Sequence, residues 1–138
     1  MSLTYNKINT FVADLANGSH NFTVSTGNQY AVYLTDTAPT AASTSPTGEI
    51  SYANFSGANP NYITITASSQ TSGTEKVVVN NLTMTATGAI PQFRYVGIKN
   101  VTTSKVVAWF DYGSEVNMVA NDALIINFDQ TNGLLQIA

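Results

Sequence analysis

The sequence predicts an all-β chain, an antiparallel β-sandwich (jelly-roll or immunoglobulin-like) of about eight or nine strands with one short N-terminal helix. Three observations carry this. Residues 92–138 hold four runs rich in Val, Ile, Phe, Tyr and Trp, broken by turn chemistry at 100–104, at Gly113 and Ser114, at Asn121 and Asp122, and at Asn132 and Gly133. Upstream, turn signals recur about every 8–12 residues. No alternation of strand and helix patterns is visible, which argues against a parallel sheet. With 138 residues and no internal repeat, the chain fits a single domain over 1–138, long enough to bury a core without metal or disulfide staples.

The N-terminal segment, residues 1–18, reads as helical. Over 4–16, apolar residues fall at Tyr5, Ile8, Phe11, Val12 and Leu15, which is helical spacing. Ser2 or Thr4 can cap its start, and Asn17 with Gly18 supplies a stop. Strands follow at 21–24 and 29–36 with a tight turn at Gly27 and Asn28; the second is apolar at nearly every position and so central, buried on both faces. Residues 37–48, TAPTAASTSPTG, are too polar and too broken by Pro for a strand and predict a long exposed loop. Residues 50–55 return to apolar character before a break around Pro60.

Residues 62–68 alternate strictly, with Ile63, Ile65 and Ala67 on the buried face. A hairpin turn centred on Ser72 and Gly73 leads into one long strand over 75–87, with a bulge at Asn80 and Asn81 where Val77 and Val79 fall out of step with Leu82 and Met84. In the C-terminal third, Trp109 is expected to be buried, in a strand that pairs with residues 93–99 across the 100–104 turn. Leu134, Leu135 and Ile137 should end in the core.

Composition narrows the function classes. Charged residues are 9% of the chain, against roughly 25% in an average soluble domain. Thr, Ser and Asn carry the polar share, which suits a pleated surface and equally suits an assembled protein, since interface cores are poor in charge. The five basic residues, Lys7, Lys76, Arg94, Lys99 and Lys105, nowhere cluster, and net charge is −3, so no nucleic-acid partner is expected. The absence of cysteine excludes a disulfide framework and a thiol nucleophile. No apolar run approaches the ~18 residues of a membrane span. The opening MSLTYNKINTF lacks the layout of a signal peptide, so synthesis in a cytoplasm is expected.

No catalytic, cofactor-binding or metal-binding residues are assigned. His20, the sole histidine, follows Ser19 directly, a spacing that cannot form a nucleophile and base pair, and reads as a capping or core hydrogen-bonding group. Asp111, Glu115, Asp122 and Asp129 lie near turns and read as turn caps rather than as a Ca²⁺ site or a glycosidase pair. Trp109 and Phe110 are adjacent and so point to opposite sheet faces, with Tyr112 sharing the face of Phe110. The sequons at Asn21, Asn54, Asn81 and Asn100 are chance matches in an Asn- and Thr-rich chain. The candidate interface is the N-terminal segment, through Tyr5, Asn6, Asn9, Thr10 and Ala13: it carries only Lys7 and Asp14 as charges, and small neutral residues permit close approach by another chain.

The segments TYNKINTFVADLANGSHNF, YAVYLTDTAP, SQTSGTEKVVVNNLTMTATGAIPQFRYVGIKN and VVAWFDYGSEVNMVANDALIINFDQTNGLLQIA cover nearly the whole chain. Together they resemble a family of small virion proteins of tailed bacteriophages, with WFDYGSEV and FDQTNGLL the most distinctive pieces. The resemblance implies a structural role without enzymatic activity, in a protein made in the host bacterial cytoplasm and resident in the virion. The favoured place is the capsid surface, as a decoration or cement subunit bound to the major capsid protein and assembled as a homo-oligomer, a trimer above all. The alternative is a tail- or fibre-associated module that recognises host surface glycan through exposed aromatics and the 37–48 loop.

Overall fold

The computed structural model describes residues 3–138. It is mostly β, as the sequence predicts, with ten strands where eight or nine were expected. In chain order the elements are β1 Asn6–Lys7, α1 Phe11–Ala16, β2 Tyr30–Thr35, β3 Tyr62–Ile63, β4 Ile65–Thr71, β5 Thr74–Val79, β6 Leu82–Thr85, β7 Ile90–Asn100, β8 Lys105–Met118, β9 Ala123–Ile126 and β10 Leu135–Ile137. They form a five-stranded sheet ordered β1-β8-β7-β2-β3, a three-stranded sheet β10-β5-β4 and a pair β6-β9. Every pairing is antiparallel. Side chains from all three sheets, and Phe11 from α1, meet in one hydrophobic core.

β2 is buried at all six positions, as its sequence predicts. Alternation gives its two faces different partners. Tyr33 and Gly97 stand opposite each other in the ladder with β7, and a Cβ at Gly97 would overlap the Tyr33 ring. Residues 37–48 form the expected irregular, largely exposed loop. The loop also roofs Tyr33: Thr37, Pro39, Ser43, Ser45 and Thr47 enclose with it a cavity of about 110 Å³. Beyond the short β3, the free edge of β2 is closed by side chains and loop backbone together. Asn61 Nδ2 donates to the Val32 carbonyl (2.8 Å), the Leu34 amide donates to the Tyr52 hydroxyl (2.9 Å), and the Ile50 amide donates to the Leu34 carbonyl (3.0 Å). An edge satisfied in this way offers no template for another strand.

Several expectations need correction. The N-terminal helix does not span 4–16: Asn6 and Lys7 pair with Trp109 and Ala108 of β8, and α1 begins only at Phe11. Thr4 therefore precedes a strand and caps nothing, Ser2 lies outside the described residues, and Thr10 takes the N-cap position without a side-chain cap bond. The stop holds as read, with Asn17 at the C-cap and Gly18 at φ +75°. Residues 21–24 are a compact loop instead of a strand, because asparagine side chains capture the backbone: Asn21 Oδ1 accepts from the Thr23 amide (3.0 Å) and Asn28 Oδ1 from the Asn21 amide (2.8 Å).

The long strand expected over 75–87 is two strands in two different sheets. Asn80 and Asn81 mark the switch: Asn80 exchanges bonds with the amide and carbonyl of Thr64, and Asn81 Oδ1 accepts from the Phe128 amide. The 62–68 strand divides at the same level, between β3 and β4, while keeping Ile63 and Ile65 buried and Thr64 and Thr66 exposed. Gly113 and Ser114, expected to separate two strands, form a bulge inside β8. Tyr95 pairs with Asp111 and Phe93 with Val116, so residues 112–115 stand opposite Arg94 alone, with Gly113 at φ +93°.

The hairpin at Ser72 and Gly73 is as read, with φ of 50° and 84°, the double positive geometry of a type I′ turn. Trp109 pairs with Gly97 in the predicted hairpin, but its ring is half-buried rather than buried.

Candidate functional site

The residues proposed as an interface lie along the N-terminal segment but do not share one role. Ile8 and Phe11 are buried and anchor the segment, whereas Val12, assigned to the same stripe, is 59% exposed because the helix starts later than its spacing suggests. Tyr5 stands at the entry to β1, its ring edge-on to Phe110 at 5.8 Å. Asn6 is occupied locally, donating to the carbonyls of Thr4 (3.0 Å) and Trp109 (3.2 Å). The Asn9 amide donates to the Ala41 carbonyl (2.7 Å), fastening the 37–48 loop to this segment. The Thr10 hydroxyl is buried without a partner. Asn9, Val12 and Ala13 thus form the outward face; Asn6 is tied to the backbone, and the Thr10 hydroxyl is turned inward without a bond.

Two aromatic settings bear on ligand binding. Trp109 packs edge-on against Tyr95 at 6.2 Å, and the Arg94 guanidinium sits 5.5 Å above the Tyr95 ring. Arg94 also makes a two-pronged ion pair with Asp111 (2.8 and 2.9 Å), which holds that carboxyl below its usual range. Tyr112, 46% exposed, is the most open ring on this sheet.

The second setting is an open groove of about 350 Å³ lined by Glu49, Tyr52, Asn61, Tyr62 and Lys99. Lys99 Nζ lies 2.7 Å from both Glu49 oxygens, and the Tyr52 hydroxyl donates to Glu49 at 2.7 Å. Burial and the neighbouring Glu49 carboxylate push the Tyr52 hydroxyl far above the usual phenol range. These groups satisfy one another while closing the β2 edge, and that is their evident work.

Of the four acids near turns, Asp111, Asp122 and Asp129 accept bonds from turn amides, Asp111 from Gly113 (2.8 Å), whereas Glu115 caps nothing among the described residues. Asp122 Oδ2 accepts from the Val119 amide (2.9 Å), and Asp129 Oδ1 accepts from the amides of Thr131 and Asn132 (both 2.8 Å). Those bonds from Asn132 and Thr131 hold the Asp129 carboxyl below its usual range. No group of three His, Cys, Asp or Glu side chains converges among the described residues.

His20 is buried and takes up the core hydrogen bond expected of it. Its Nδ1 lies 3.2 Å from Asn100 Nδ2, and its ring stacks on Phe22 at 5.9 Å. Asn100, fully buried at the end of β7, also donates to the Ser19 carbonyl and Asn28 Oδ1, both at 2.9 Å. The sequence reading missed this network because its members stand about 70 to 80 residues apart and Asn100 reads as an ordinary turn residue. The unusual rarity of histidine was the one available signal. No family model, curated protein or solved structure matches this chain.

Proposed function

We propose that the chain is a non-enzymatic structural subunit of a bacteriophage virion, seated on the capsid shell as a decoration protein against the major capsid protein. The observation that supports this best is a surface with little free charge. Lys and Arg total 5 and Asp and Glu 8, and among the described residues three ion pairs, Arg94–Asp111, Lys99–Glu49 and Lys105–Asp14, take up six of them. Val12, Val119 and Ile125 are meanwhile 59%, 63% and 61% exposed. A surface of this kind fits permanent packing against neighbours better than a life free in solution. The resemblance of the sequence to tailed-phage virion proteins supplies the particle, and one core shared by three antiparallel sheets supports the sandwich architecture that goes with it.

Copy number in purified particles tests the reading. Hundreds of copies per particle are the expected result; a handful would move the protein to the tail, and none would remove it from the virion. Light scattering on the isolated protein, with and without capsid, tests assembly. A trimer in either setting is expected, and a strict monomer in both would sink the homo-oligomer.

A further inference from the structure

The contact between His20 and Asn100 suits only the neutral imidazole. Asn100 Nδ2 is fixed as a donor, since it also faces the Ser19 carbonyl and an Asn28 Oδ1 that is itself accepting from the Asn21 amide. The amide cannot rotate in place, because Asn100 Oδ1 accepts from the Thr103 amide (3.2 Å). The two Nδ2 protons are shared among the Ser19 and Asn28 oxygens, the Tyr30 hydroxyl (3.4 Å) and His20 Nδ1 (3.2 Å), so Nδ1 faces a group that can only donate, and the proton of the neutral ring sits on Nε2. Nε2 is buried with no hydrogen-bond partner. A second proton would have to enter at Nδ1, turning a donor–acceptor contact into two facing donors inside the core.

The surroundings do not favour that charge. Phe11, Phe22 and Tyr30 surround the ring at centroid distances of 5.4, 5.9 and 6.3 Å. The charged groups acting on it are Asp14 of α1 and Lys105 at the start of β8, and they oppose each other. They are also 3.6 Å apart, so part of the attraction Asp14 could offer is spent on Lys105. Tyr30 of β2 is the remaining titratable neighbour, and burial pushes its hydroxyl far above the usual phenol range, so it stays neutral.

We propose that His20 is an acid-sensitive latch: the neutral ring fastens α1 and the 18–29 loop to the end of β7, and protonation releases them while the three sheets stay paired. The sign follows from linkage. Burial lowers the His20 pKa from the value of about 6.5 that the released, solvated ring would have. The closed form is then fully favoured above pH 6.5, loses ground as pH falls through the interval between the two values, and levels off below the closed-form pKa. Within that interval the opening equilibrium grows about tenfold per pH unit. The latch stands independently of the virion reading, since its evidence lies within one chain.

Two measurements on the full chain test it. The first follows the His20 ring by NMR across pH 4–8, which needs no variant; a titration midpoint below that of free histidine is expected, and a midpoint at or above it overturns the proposal. The second measures amide exchange protection factors at pH 7 and at successively lower pH. The amides of Asp14, Asn17 and Ser19 should lose about tenfold protection per pH unit over the interval while those of β2 and β7 hold theirs. A uniform loss across the molecule, or none, overturns it. In His20→Gln, which keeps an acceptor but cannot titrate, the extra pH dependence at α1 should vanish; its persistence would assign the effect to another group.

Discussion

Gly97 is the residue whose replacement should be least tolerated for its size. Its backbone needs no special conformation; the constraint is the Tyr33 ring lying across it. Gly97→Ala should destabilise the fold by about 1–3 kcal/mol through overpacking, read from urea unfolding. Tyr33→Leu in the same chain should recover part of the loss, since it removes the ring that clashes. Tyr52 offers a second test at this scale. Tyr52→Phe keeps the ring but leaves the Leu34 amide without its acceptor, at a cost of about 1–3 kcal/mol. Trp109→Ala should cost less than the roughly 3–5 kcal/mol of a fully buried aromatic, because the ring is half-buried. Its melting temperature should fall less than that of Phe93→Ala, whose ring is 1% exposed. These positions show why single residues were only partly legible. Burial of Ile63 and Ile65 follows from alternation, whereas the claim of Tyr33 on Gly97 exists only once β2 and β7 are side by side.

At the scale of elements, apolar pattern and local turn chemistry were readable and sheet membership was not. The β4–β5 hairpin was predictable because Ser72 and Gly73 carry its geometry locally. The division of 75–87 was signalled by Asn80 and Asn81, but a bulge and a change of sheet leave the same mark in sequence. The N-terminal segment misled for a related reason: Ile8 and Phe11 are spaced as on a helix and are both buried, although a turn lies between them. Deleting residues 1–16 should therefore unfold the protein, since it removes both anchors and the β1 pairing. Docking through this segment calls for a gentler variant. Val12→Lys with Ala13→Glu should leave the melting temperature within a few degrees, both positions being exposed, and should lower occupancy on the capsid. Wild-type occupancy in that double variant would exclude the outward face of α1 as a contact.

For the whole molecule, the prevalence of antiparallel strands follows from composition and turn spacing, but the order β1-β8-β7-β2-β3 could not, because it depends on pairings across long stretches of chain. The same topology has a consequence during synthesis. β1 waits for β8, about a hundred residues later, and β5 lacks one neighbour until Leu135–Ile137 arrive. Early strands such as Val77–Val79 therefore leave the ribosome with one side unpaired and apolar, and cannot complete their sheet however quickly the β4–β5 hairpin closes. A nascent chain halted before residue 134 should stay sensitive to protease throughout, whereas release of the full chain should convert it to the resistant form in one step. Cells making this protein in bulk would thus hold two populations, unfinished chains exposed to proteolysis and finished ones protected from it.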